Sequence, residues 1–139
     1  MVATYVLDAN ALLAFLDDTH SGEKVEELFV LAQQEKAVLL MSAVNWGEAY
    51  FVHTRGRGER SSEAMRRLIR RFPLQVLPAD ARSAEAAAEI KSRFKLHYAD
   101  CFAAALAIEH KGSVVTADAD YKRLQGQVRI LWLTASKKR

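Results

Sequence analysis

Short apolar, largely β-branched runs alternate with longer amphipathic stretches along this chain, and nothing else in it restricts the fold as much. The short runs are residues 4–7 (TYVL), 37–41 (AVLLM), 74–77 (LQVL), 113–116 (SVVT) and 128–131 (VRIL). Several are continuously apolar, the pattern of strands covered on both faces of a parallel sheet. Between them, Val25, Leu28, Phe29 and Ala32 recur at i, i+3, i+4 and i+7, as do Met65, Leu68, Ile69 and Phe72, so both sets line one side of a helix. Ser42 can cap a helix running to about His53, and Asp80 one running to about Phe94. A further helix is expected from about Ala99 to Lys111, with Gly112 closing it in a left-handed conformation. The resulting order, β-α-α-β-α-α-β-α-α-β-α-β, predicts an α/β three-layer fold.

The chain has 139 residues, half of them hydrophobic and 27% charged. That is enough for one well-formed core, and it excludes disorder and fibrous repeats. We expect one domain over residues 1–135 and a basic tail over residues 136–139, with residues 55–58 as the other flexible stretch. A single cysteine excludes an internal disulfide and suits a reducing compartment. The longest apolar run, residues 101–108, is far short of the roughly 18 residues of a membrane span, and no basic leader precedes an apolar stretch at the N-terminus. The expectation is a mature, soluble, cytoplasmic protein without a membrane partner.

The acids fall at informative places. Asp8 follows the first strand and Asp118 comes just after the fourth, so both belong at the carboxyl ends of strands, where open parallel sheets bind ligands. Asp100 enters a helix that is apolar on nearly every side; helix capping can explain it, but an ionised acid there needs a partner or a metal. Glu48 shares a helical face with Val44 and Phe51, interrupting an apolar stripe, and its neighbour Gly47 suggests close backbone approach or a need for space. Each acid alone is best explained as a cap, a turn residue or a solvated side chain. Together, four meeting carboxylates would repel one another and must hold protons or a cation. Oxygen-only ligands select a hard ion, Mg²⁺ or Mn²⁺.

Four phrases, VLDANALLAFL, SAVNWGEAYF, HYADCFAAALA and VVTADADYK, occur in that order. They resemble the four acidic motifs of the PIN-domain nucleases, and the spacing is most similar to the VapC-type toxins of toxin–antitoxin systems. The resemblance runs from residue 2 to residue 133, and its specificity lies in the order of the motifs rather than in any one of them. It implies a PIN-like α/β/α fold with a five-stranded parallel sheet. It also implies that Asp8, Glu48, Asp100 and Asp118 are the catalytic, metal-binding acids, with Asp120 as an auxiliary or as a cap for the next short helix. Thr116 would support the site through its hydroxyl, and Asn10 would orient Asp8 or contact substrate. The activity implied is metal-dependent endoribonuclease cleavage leaving 3′-hydroxyl and 5′-phosphate ends, in a homodimer restrained by a cognate antitoxin protein.

Charge adds a candidate RNA contact. Residues 55–71 carry seven Arg and two Glu, and the last three residues are all basic. Arg66, Arg67, Arg70 and Arg71 form either the solvated face of a helix or a surface that follows an RNA backbone or docks an acidic antitoxin segment. His20, His53, His97 and His110 lack zinc spacing; His97 reads as a helix-entry residue and Cys101 as a small buried one. Trp46, Tyr50, Phe51 and Trp132 read as core or dimer surface ahead of a base-stacking platform. Two other functions compete with the nuclease. A non-catalytic RNA- or protein-binding module of the same fold would not need all four acids. A phosphotransfer domain with Asp8 as nucleophile leaves Glu48 unexplained and has Asn10 where a second Asp is expected.

Overall fold

The computed structural model describes residues 2–133; the predicted tail at 136–139 lies outside them. The elements run β1 (Ala3–Leu7), α1 (Ala9–Leu16), α2 (His20–Gln33), β2 (Ala37–Ser42), α3 (Ala43–Thr54), α4 (Glu59–Arg71), β3 (Leu74–Leu77), α5 (Ala81–Arg93), α6 (Tyr98–Glu109) and β4 (Ser113–Thr116). A single 3₁₀ segment (Ala119–Leu124) then leads into β5 (Arg129–Trp132). The five strands form one parallel sheet in the order β3-β2-β1-β4-β5. All five predicted strands are present, and the three-layer α/β/α architecture is as expected.

Strand alternation divides the core in two. Leu7, Leu39, Met41 and Val115 face α1 to α4, where Leu12, Val25, Leu28, Phe29 and Met65 close the first cluster. Val6, Leu40 and Val114 face α5, α6 and the 3₁₀ segment, against Ala87, Cys101, Phe102, Ala104, Tyr121 and Leu124. Because both faces are covered, the strands carry apolar residues in succession, which is the pattern legible in the sequence. Phe15, Phe29 and Phe72 pack ring to ring, with centroids 4.9 to 6.1 Å apart, and tie α1, α2 and the end of α4 together. Trp46, Tyr50 and Trp132 pack against the two clusters, in keeping with a core role. No helix among the described residues is long and apolar enough to cross a membrane.

The predicted caps are observed: Ser42 accepts from the Val44 amide and Asp80 from that of Ser83. The end of α6 differs from expectation. Lys111, not Gly112, adopts the left-handed conformation, at φ 54°. Gly112 is needed for a different reason, because a Cβ there would stand 2.7 Å from the Thr4 carbonyl oxygen of β1. Gly22 is held likewise, against the backbone of Ala14 and Phe15 at the α1–α2 contact. Gly47 is the opposite case. It is exposed, and a Cβ there would meet nothing within 4 Å, so the close backbone approach expected of it is absent within the chain.

These three glycines therefore respond differently to substitution. Gly22→Ala and Gly112→Ala should each lose roughly 1–3 kcal/mol of stability through overpacking against backbone. Gly47→Ala should gain up to about 1 kcal/mol from helix propensity. Urea denaturation of the three variants checks the contrast, and equal losses in all three would contradict it.

Candidate active site

The sheet's topology selects the position. The chain leaves β1 for β2 on one side, and β4 later inserts on the other, so the strand order reverses between β1 and β4. In that crevice, at the carboxyl ends of the two strands, stand Asp8 and Thr116. Register makes them neighbours: Leu7 pairs with Val115, and Asp8 and Thr116 are the next residues along.

Asp8 is only 2% exposed, and both of its oxygens are held. Oδ1 accepts from the Ala11 amide at 2.7 Å, which also caps α1, and Oδ2 accepts from the Thr116 hydroxyl at 2.6 Å. The Thr116 oxygen in turn accepts from the Asp118 amide at 2.9 Å, and Asp118 Oδ1 accepts from the Asp120 amide at 2.9 Å, starting the 3₁₀ segment. A continuous hydrogen-bonded chain thus runs from the end of β1 to the turn after β4. Asp118 rather than Asp120 makes the cap; Asp120 instead pairs with Arg123 at 3.0 Å. Asn10 is exposed in the first turn of α1, and the groups that donate to the Asp8 carboxylate are the Ala11 amide and the Thr116 hydroxyl.

Asp100 stands in the first turn of α6, as predicted, and that helix buries Cys101, Phe102, Ala103, Ala104 and Ala107. The Tyr121 hydroxyl lies 3.4 Å from Asp100 Oδ1 and donates toward it, whereas Asp100 Oδ2 is buried with no hydrogen-bond partner. His97 is the N-cap residue of α6 but makes no side-chain cap bond; a positive charge at this position would lower the pKa of Asp100. Cys101 is a free, buried thiol whose pKa is raised by burial, as suits an inert residue.

Glu48 departs from its predicted setting. Val44, Glu48 and Phe51 do share a face of α3, but only Val44 of the three packs on the core: Glu48 and Phe51 are exposed, and the helix buries Asn45 and Ala49 instead. Nothing in the periodicity distinguished the two sides, because apolar residues lie on both. The buried Asn45 donates to the Ala99 carbonyl at 3.0 Å and so fixes α3 to the start of α6, beside Asp100. Tyr121 and Asn45 are the two site-shaping residues the sequence reading missed. For Asn45, a polar residue one turn before the buried Ala49 was the available signal; for Tyr121, only the fold reveals its proximity to the acids.

The acids are close enough to perturb one another. Burial, more than anything else, pushes the Asp8 carboxyl up to about 7, its two hydrogen bonds pull it down, and the charges of Asp100 and Asp118 raise it further. Asp100 is raised by burial first, then by Asp118 and Glu48. All four predicted acids therefore belong to one electrostatically coupled group. They are not drawn into a closed ligand set: among the described residues, no three His, Cys, Asp or Glu side chains converge to hold a metal ion. Arg66 and Arg67 lie on α4, Arg66 donating to the Tyr50 hydroxyl at 2.9 Å and Arg67 pairing with Glu63 at 3.7 Å, both exposed.

The donor chemistry nevertheless fits a hard divalent cation. Every candidate ligand is a carboxylate oxygen, Asp100 Oδ2 lacks any partner, and burial and the neighbouring acids hold the Asp8 carboxyl well above the usual carboxylate range. Stability follows from this. In the unfolded chain Asp8 loses its proton near 3.8, whereas the folded chain keeps it until about 7. Between those values the native state binds the extra proton, so metal-free stability is full below pH 4 and falls as pH rises toward 7, by on the order of 4 kcal/mol. Asp8→Asn should remove most of that fall and melt above the parent protein at pH 8. Thermal melts of both in EDTA from pH 5 to 8 test this, and parallel curves would contradict it.

The PIN domain family model matches residues 5–127. No curated protein matches the chain. Among solved structures, the fold is similar to the VapBC2 complex of Rickettsia felis bound to promoter DNA, with a TM-score of 0.72 at 15% identity over 94% of this chain and 99% of that one. A toxin–antitoxin complex from Klebsiella pneumoniae gives 0.73 at 15% identity, over 94% and 98%. A sarcin-ricin loop cleaving VapC toxin of Mycobacterium tuberculosis gives 0.68 at 16% identity, over 89% and 95%. With the family model spanning most of the sequence, the chain belongs to the PIN domain family.

Proposed function

We propose that this protein is a Mg²⁺- or Mn²⁺-dependent endoribonuclease, acting in the cytoplasm as the toxin of a VapBC-type toxin–antitoxin pair. The observation that carries this is the coupled group of Asp8, Asp100, Asp118 and Glu48 at the switch point of the sheet, with one buried carboxylate oxygen unpartnered. These four acids would hold the metal, Asp120 remaining auxiliary through its contact with Arg123. When bound, the cation supplies a water of lowered pKa and neutralises charge on the phosphodiester under attack.

The remaining work falls to the chain's own groups. Thr116 fixes Asp8 at one oxygen while the α1 amide of Ala11 holds the other, so that carboxylate is positioned before any ligand arrives. Tyr121 steadies one oxygen of Asp100 and leaves the second free. Asn10, exposed beside Asp8, contacts substrate, and Arg66 and Arg67 bind RNA phosphates from α4. Cleavage at the phosphodiester leaves 3′-hydroxyl and 5′-phosphate ends. A homodimer and a cognate antitoxin complete the assembly; the toxin–antitoxin complexes among the structures of similar fold support the second of these.

Incubation with single-stranded RNA and Mn²⁺ should give cleavage that EDTA abolishes. Asp8→Asn should reduce the rate by at least about a hundredfold with the fold retained, and an unchanged rate would refute the assignment. Metal-independent RNA binding without cleavage by the parent protein would favour the non-catalytic module instead. Reversing Arg66 and Arg67 to Glu together should weaken RNA binding several-fold and reduce the salt slope of log K by about 2. A slope equal to that of the parent would leave these arginines as a solvated face only.

A further inference from the structure

Helix α3 turns an unusual stripe to solvent. Glu48, Phe51 and Arg55 follow one another on a single face, and Phe51 is 64% exposed, the most exposed large apolar side chain among the described residues. The Arg55 guanidinium lies 5.8 Å from the centre of the Phe51 ring, within cation–π range. Next to the ring, one turn back, Gly47 leaves the helix surface bare, with nothing within 4 Å of where a Cβ would stand.

Gly22 and Gly112 are explained by backbone packed against them; Gly47 has no such reason inside the chain, although glycine within a helix is unfavourable. The clearance lies beside Phe51 on the open side of α3. Glu48, one turn from the ring, is electrostatically coupled to Asp100, and Arg66 of α4 reaches α3 at the hydroxyl of Tyr50, the residue before Phe51. An aromatic ring backed by one arginine, with a second reaching the same helix, has the character of a nucleobase stacking surface. A protein-docking core would be depleted of charge, and this stripe carries a carboxylate and a guanidinium on either side of its ring.

Resting on the ribonuclease reading of the acid group, we propose that Phe51 and Arg55 form a stacking platform for one unpaired base of the RNA, with Gly47 leaving room for its ribose. A base can reach the ring only when it is out of a duplex, so the platform selects single-stranded segments next to the scissile phosphate. Phe51 thereby becomes a specificity determinant rather than part of the hydrophobic core.

The test uses the full chain carrying Asp8→Asn, with Mn²⁺ present, and a fluorescein-labelled single-stranded RNA followed by anisotropy. Phe51→Ala should weaken binding by about 5- to 100-fold, Phe51→Trp should restore it, and Gly47→Leu should weaken it with no loss of thermal stability. Removing a single base from the RNA at the stacked position should cost the protein that retains Phe51 the same factor, and the Phe51→Ala variant nothing more. An unchanged affinity for Phe51→Ala overturns the proposal. So does an affinity loss accompanied by a shift from dimer to monomer in light scattering, which would make this face a contact between copies. Cleavage by the chain with all four acids intact is measured alongside: its absence sinks the ribonuclease reading and the platform with it, whereas cleavage with no Phe51 effect sinks the platform alone.

Discussion

The hydrogen bond from Thr116 to the buried Asp8 is the contact on which the rest of the site depends. It exists because β1 and β4 run parallel in adjacent register, so that the residue after each apolar run arrives at the same level. Everything downstream is built on that coincidence. Thr116 passes the connection to the Asp118 amide, Asp118 starts the 3₁₀ segment, and that segment carries Tyr121 back under Asp100. On the other side, Asn45 binds α3 to the start of α6 and keeps Glu48 within electrostatic reach. Asp8, Asp118 and Asp100, from three distant parts of the chain, are thus joined by a short series of polar contacts, with Glu48 in electrostatic reach of Asp100.

Most of the fold was legible because its cause is local. A strand buried on both faces has to be apolar throughout, and a helix on the sheet has to repeat at three and four residues; both patterns sit in the sequence within a few residues of where they act. Ser42 and Asp80 could be assigned as caps because a cap acts within three residues of itself. Gly112 shows the limit of this. A glycine after a helix ordinarily marks a left-handed turn, yet here Lys111 takes that turn and Gly112 answers to the Thr4 carbonyl of a strand far earlier in the chain. No local pattern carries that information.

The same division runs through the site. The positions of Asp8, Asp100 and Asp118 beside two strand ends and in the first turn of a helix were legible because strand ends and helix starts are local features. Glu48 was assigned to the correct helix but to the wrong environment, since α3 has apolar residues on both sides and only the packing of Asn45 and Ala49 decides which one turns inward. Tyr121 escaped notice because its role consists of an atom 3.4 Å from a carboxylate 21 positions away.

A carboxylate such as Asp8, buried and opposed by its neighbours, leaves this molecule under internal tension at neutral pH. Asparagine in its place would carry no charge yet keep an amide oxygen for one of the two donors, Ala11 or Thr116. The crevice between the first and fourth strands can therefore hold its outline whether or not the side chain at its base is an acid.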